Sequence, residues 1–94
     1  MIMMKIRENC IKMVGHAGCR KDGVDLVCSA ISALTCSLIM SIENLTDDHI
    51  EYDIAHGMTQ IEWQKLSDKG KLLIDSWFCG ISAINEEHKC IQFN

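Results

Sequence analysis

His16 and Cys28 stand twelve positions apart across a glycine-bounded stretch: Gly15-His16-Ala17-Gly18 opens it, and Gly23 leads into Asp25-Leu26-Val27-Cys28. The two side chains have complementary chemistry. A thiol of ordinary pKa, about 8.5, is mostly protonated at neutral pH. In the first turn of a helix and beside an imidazole it becomes acidic, because backbone N–H groups and an imidazolium stabilise the thiolate. Such a cysteine is a nucleophile and the histidine carries its proton. With Asp25 as the N-cap, Cys28 is the third helical residue, inside the turn where free N–H groups concentrate; with Asp22 as the cap that advantage shrinks. Asp25 reads either as a plain cap or as a group that also orients His16. Ser32, one turn beyond Cys28 on the same face, reads as a partner for thiolate or substrate, or as a small core residue bonded to a helix carbonyl. Spacing by itself is a weak signal, since four histidines and six cysteines generate many such pairs by chance.

The elements around this pair are legible from periodicity. β-branched Ile2 and Ile6, the turn signal Glu8-Asn9 and the alternation from Cys10 to Val14 predict a β-hairpin that delivers His16 at a strand end. The polar stretch Cys19 to Gly23 reads as a loop. Val27, Ile31, Leu34, Leu38 and Ile42 form one apolar stripe, which predicts a helix from Asp25 to Leu45 that starts just before Cys28. A second hairpin follows, Ile50 to Ala55 and Met58 to Trp63 around Gly57. Ser67 then caps a helix running to Glu87 through Leu73, Trp77, Ile81 and Ile84, with Gly70 and Gly80 as weak points. Cys90 to Phe93 closes the order ββαββαβ, an α+β domain with a mainly antiparallel sheet packed with two helices. His49, His56 and His88 lie beside turns or strand ends near acidic residues and read as solvated surface histidines. Trp63, Trp77 and Phe78 read as core, and Cys36, on the Cys28 face, as buried and inert.

Composition bounds the function classes. The 94 residues, 48% hydrophobic with a net charge of −4, suit one domain spanning 1–94, and the absence of proline argues that the whole chain folds. Lys and Arg are scattered apart from Arg20-Lys21, so there is no electrostatic footprint for nucleic acid. Met1-Ile2-Met3-Met4 followed by Lys5 and Arg7 reverses the order of a secretory signal, so the thiols are expected to be reduced in a cytoplasmic protein. They read mostly as small buried hydrophobes. No two of the six cysteines fall two or three apart, which gives no zinc-binding spacing, and neither metal nor cofactor is expected. The uncharged run from Leu26 to Ile42 is seventeen residues long and broken by serines and Thr35, short of a membrane span. A helix apolar nearly all round needs cover on more than one side, and a homodimer contact supplies it beyond the sheet and the second helix.

The string Gly15-His16-Ala17-Gly18, Gly23, Asp25-Leu26-Val27-Cys28, then Ala30, Ser32 and Ala33, resembles the ribosomal-processing cysteine protease family, Prp. The likeness is specific in order and spacing over residues 15–34, and the chain length and element order are similar too. It implies a His16–Cys28 dyad with Gly15, Asp25 and Ser32 as supporting positions, and a loop of Gly18, Cys19, Arg20, Lys21, Asp22 and Gly23 over the substrate. It further implies a homodimeric cytosolic enzyme that removes a short apolar N-terminal extension, ending in paired phenylalanines, from the twenty-seventh protein of the large ribosomal subunit. Cys19 and Asp22 replace the aromatic residues frequent in relatives, and Ser29 stands where alanine is usual, departures that bear on substrate fit. Other readings are a protease of a phage structural protein, a catalytically silent dimeric module that binds a ribosomal or phage protein, and a redox sensor in which Cys19 resolves a Cys28 sulfenate.

Overall fold

Alternation becomes a hairpin at the amino end of the chain, where β1 (Ile2–Arg7) and β2 (Cys10–Gly15) pair antiparallel with Met4 opposite Met13 and Ile6 opposite Ile11. The computed structural model describes residues 1–16, 20–21 and 24–94. β3 (Arg20–Lys21) and β4 (Val24–Asp25) form a short antiparallel ribbon leading into α1 (Leu26–Leu45). β5 (Glu51–Ala55), β6 (Met58–Glu62), α2 (Asp68–His88) and β7 (Ile91–Phe93) complete the chain. The main sheet runs β5-β6-β2-β1-β7, antiparallel except for the β1–β7 pair, so the α+β reading holds. The ribbon corrects the expectation of a plain loop between His16 and Cys28. It enters the helix with Asp25 already in the extended backbone an N-cap needs (φ −91°, ψ 90°).

One face of the sheet carries the core. Ile2, Met4, Ile11, Met13, Ile61 and Ile91 are buried beneath Val27, Ile31, Leu38, Ile39 and Ile42 of α1 and Trp77 and Ile81 of α2. Between the helices the Trp77 indole N–H donates to the Thr35 hydroxyl at 3.1 Å, and that hydroxyl donates to the Ile31 carbonyl at 2.8 Å, so a buried polar pair is satisfied within the apolar layer. α1 is 20 residues long, three more than the uncharged run, and by length and composition it could cross a membrane. In the fold its apolar stripe lies on the sheet.

The start of α2 is built from a distance. Ser67 caps it by accepting from the Gly70 N–H at 3.2 Å, while Asp48 accepts from the Ser67 amide at 2.9 Å and its hydroxyl at 2.7 Å. Gly70 and Gly80, expected as weak points, are places of close approach instead. A side chain at 70 would run into the Asp48 carboxylate, and a Cβ at 80 would lie 3.0 Å from Leu34. Two further expectations fail because the residues lie outside the buried stripes of α1 and α2: Phe78 is exposed and meets Phe93 of β7 at 5.8 Å, and Cys36 and Cys79 are exposed. Of the five described cysteines only Cys90 is buried.

Candidate active site

β2 ends in a backbone that only glycine tolerates. Gly15 has φ +106°, and a Cβ there would lie 2.7 Å from the Met1 carbonyl oxygen. Its N–H donates to the Gly57 carbonyl at 2.9 Å, and the Met1 amino group donates to the His16 carbonyl at 2.6 Å. The backbone on both sides of the histidine is therefore tied elsewhere, to Met1 just before β1 and to the β5–β6 turn.

Opposite this strand end, Asp25 caps α1. Its carboxylate accepts from the Cys28 N–H at 3.0 Å, and its carbonyl accepts from the Ser29 hydroxyl at 3.1 Å. Cys28 is thus the third helical residue, half-buried, in the turn whose aligned N–H groups favour negative charge. The cap is Asp25 and not Asp22, and it engages the amide of Cys28 itself.

A cavity of about 530 Å³ opens between these two ends. Gly15, His16, Asp25, Cys28 and Ser32 all line it, so the five residues singled out from sequence converge on one space. Ser32 is exposed there, which excludes its reading as a core residue. The expected substrate loop lies largely outside the described residues: Gly18, Cys19, Asp22 and Gly23 are not among them, and Arg20 and Lys21 enter only as the backbone of β3.

Two neighbours escaped the sequence reading. His56 and Gly57, the turn between β5 and β6, form the far wall, and the His56 ring lies 5.2 Å from that of His16, tilted by 49°. The signal that would have found His56 is the pairing of β2 with β6 in the register Val14 opposite Met58, which brings the second hairpin's turn beside the first hairpin's end. Single-strand patterns do not encode that register. His49 and His88 are exposed beside Glu51 and Glu87, each pair 3.9 Å apart, as expected of surface histidines. Among the described residues, no group of three His, Cys, Asp or Glu side chains is arranged to hold a metal ion.

The fold has solved counterparts. The structure superposes on Staphylococcus aureus ribosomal processing protease Prp in complex with a covalently linked product peptide, with a TM-score of 0.85, 22% identity, and coverage of 99% of this chain and 95% of that one. The same S. aureus protease in complex with a substrate peptide gives a TM-score of 0.76 at 20% identity, over 99% of this chain and 95% of that one. SMU.848 from Streptococcus mutans gives 0.72 at 24% identity, over 99% and 90%. No curated protein sequence matches the chain. The family model of cysteine protease Prp matches residues 1–91, which take in both helices, the main sheet as far as the first residue of β7 and every residue lining the His16–Cys28 cavity, and on that match the chain belongs to the Prp cysteine protease family.

Proposed function

We propose that this chain is a cysteine endopeptidase that uses a His16–Cys28 dyad to remove an apolar N-terminal extension from a large-subunit ribosomal protein, the twenty-seventh. The observation that carries the reading is the placement of His16 and Cys28 on one cavity, with Cys28 in the first turn of α1. Thiolate Cys28 attacks the scissile carbonyl and forms a tetrahedral oxyanion. Imidazolium His16 delivers its proton to the departing amine as the C–N bond breaks, leaving an acyl thioester. Neutral His16 then takes a proton from water, the resulting hydroxide attacks the thioester, and the carboxylic product leaves as the thiolate re-forms. N–H groups at the start of α1 stabilise the oxyanion, at about 3 kcal/mol per donor in comparable sites. Ser32 lines the same cavity as His16 and Cys28.

The cavity suits an extended peptide. β5 is an edge strand, and the register sets Tyr52 opposite the buried Ile61, so Tyr52 and Ile54 face the helix side of the sheet while remaining 47% and 52% exposed. Ile54 lines the cavity itself. S. aureus Prp, which shares the fold, has been solved with a substrate peptide and with a covalently linked product peptide. The protein is proposed to act as a homodimer in the cytoplasm, where thiols stay reduced, with a second copy covering the uncharged exposed stripe Leu26, Ala30, Ala33, Ser37 and Met40 of α1.

Competitive alkylation with iodoacetamide at neutral pH tests the dyad. Accessibility alone makes exposed Cys36 and Cys79 react ahead of half-buried Cys28. An activated Cys28 reverses that order by about tenfold or more, and His16→Ala restores it. Alkylation of Cys28 that is slow in both forms would contradict the assignment.

A further inference from the structure

His16 has a weakness as a proton carrier. It follows the last residue of β2, its side chain is exposed, and it is not part of the hydrophobic core formed by the described residues. An exposed side chain samples several staggered rotamers, and displacement of a reacting group by about 1 Å can cost a hundredfold in rate. The structure supplies a support from outside the motif. The Nε2 edge of His16 rests over Gly57, where a Cβ would lie 3.3 Å from Nε2 and 3.7 Å from Cε1. Gly57 also has φ +76°, so glycine answers two demands at that position, the turn and the close approach of the ring. The adjoining His56 ring meets the His16 ring with centroids 5.2 Å apart at 49°, within the range of tilted aromatic contacts. The Gly15 N–H bond to the Gly57 carbonyl holds turn and strand end together, so the shelf and the group it supports move as one.

We infer that His56 is a positioning residue for His16, a side wall that, with the floor at Gly57, limits the catalytic imidazole to the rotamer facing the cavity. The inference rests on the dyad reading above. It does not require His56 to touch substrate or to exchange a proton, because the contact is made by ring surface. A planar aromatic side chain at 56 should therefore do the same work, and a small one should not.

The experiment compares wild type, His56→Ala and His56→Phe by three measurements: the rate of Cys28 alkylation by iodoacetamide, the three-bond couplings that report the His16 χ1 rotamer by NMR, and the melting temperature. The expected result is a three- to tenfold slower alkylation in His56→Ala with rotamer-averaged His16 couplings, and near wild-type values for both in His56→Phe, at unchanged melting temperature. A single fixed His16 rotamer and unchanged alkylation in His56→Ala would overturn the inference, as would a His56→Phe form as slow and as averaged as His56→Ala. The couplings separate this inference from the endopeptidase reading. If wild type cleaves no protein yet His16 loses its fixed rotamer in His56→Ala, the endopeptidase reading fails and the positioning role stands. If wild type cleaves and His16 stays fixed without the ring at 56, the positioning role fails alone.

Discussion

At the scale of the residue, the proposed dyad gives Cys28 the chemistry at the start of α1, and Asp25 supplies the cap. Cys28→Ser keeps shape and hydrogen-bonding capacity but has almost no ionised fraction at neutral pH, so cleavage should be abolished with the melting temperature within a few degrees of wild type. Retained activity in Cys28→Ser would remove the nucleophile from the account. Asp25→Ala removes the acceptor of the Cys28 N–H and should cost about 1 kcal/mol in denaturant unfolding, while Asp25→Asn, which still caps, should cost a few tenths. Equal losses in both would assign Asp25 a role that depends on its charge. The Asp25 cap and the convergence of His16 and Cys28 on one cavity were legible in the sequence, from the capping residue three positions before Cys28 and the strand that ends just before His16. His56 was not, because its only distinction is the cross-hairpin register that sets it beside His16.

At the scale of the element, two polar contacts hold the helices in place. Thr35→Val leaves the Trp77 indole N–H buried without its acceptor and should destabilise by about 1 to 3 kcal/mol, whereas Thr35→Ser keeps the hydroxyl and should lose less. A Thr35→Val form as stable as wild type would show that the contact contributes nothing net. The other contact is pH-dependent. Hydrogen bonds from the Ser67 hydroxyl and then its amide hold the Asp48 carboxyl below the usual carboxylate range. A depressed folded-state pKa means stability that is present above the unfolded-state value and is lost as pH falls through the folded-state value. Thermal melts should therefore show a gap between wild type and Asp48→Ala at pH 7 that narrows in acid below the ordinary Asp range, and a gap independent of pH would contradict this origin. Helix and strand periods announced these elements, and Ser67 announced its cap. Nothing in the chain between them announced that Asp48 would reach across nineteen positions to hold that cap, or that Gly70 would be the space it occupies.

At the scale of the whole molecule, one sheet edge, one helix start and one hairpin turn meet at a single cavity, and the rest of the fold fixes their separation. The uncharged outward stripe of α1 should be covered by a second copy, so sedimentation equilibrium at micromolar concentration should give twice the chain mass, and Ala33→Arg, at the middle of the stripe, should give the monomer. A monomeric wild type would contradict the dimer and leave the site intact. The element order was legible at this scale, but the ribbon before α1 was not, since two-residue strands carry no period. The most direct test of the central claim is mass measurement of the intact ribosomal proteins of the host after incubation with wild type or with Cys28→Ala. The account expects one large-subunit protein to lose a short apolar N-terminal segment with wild type only; no shortening, or the same shortening with Cys28→Ala, would contradict it.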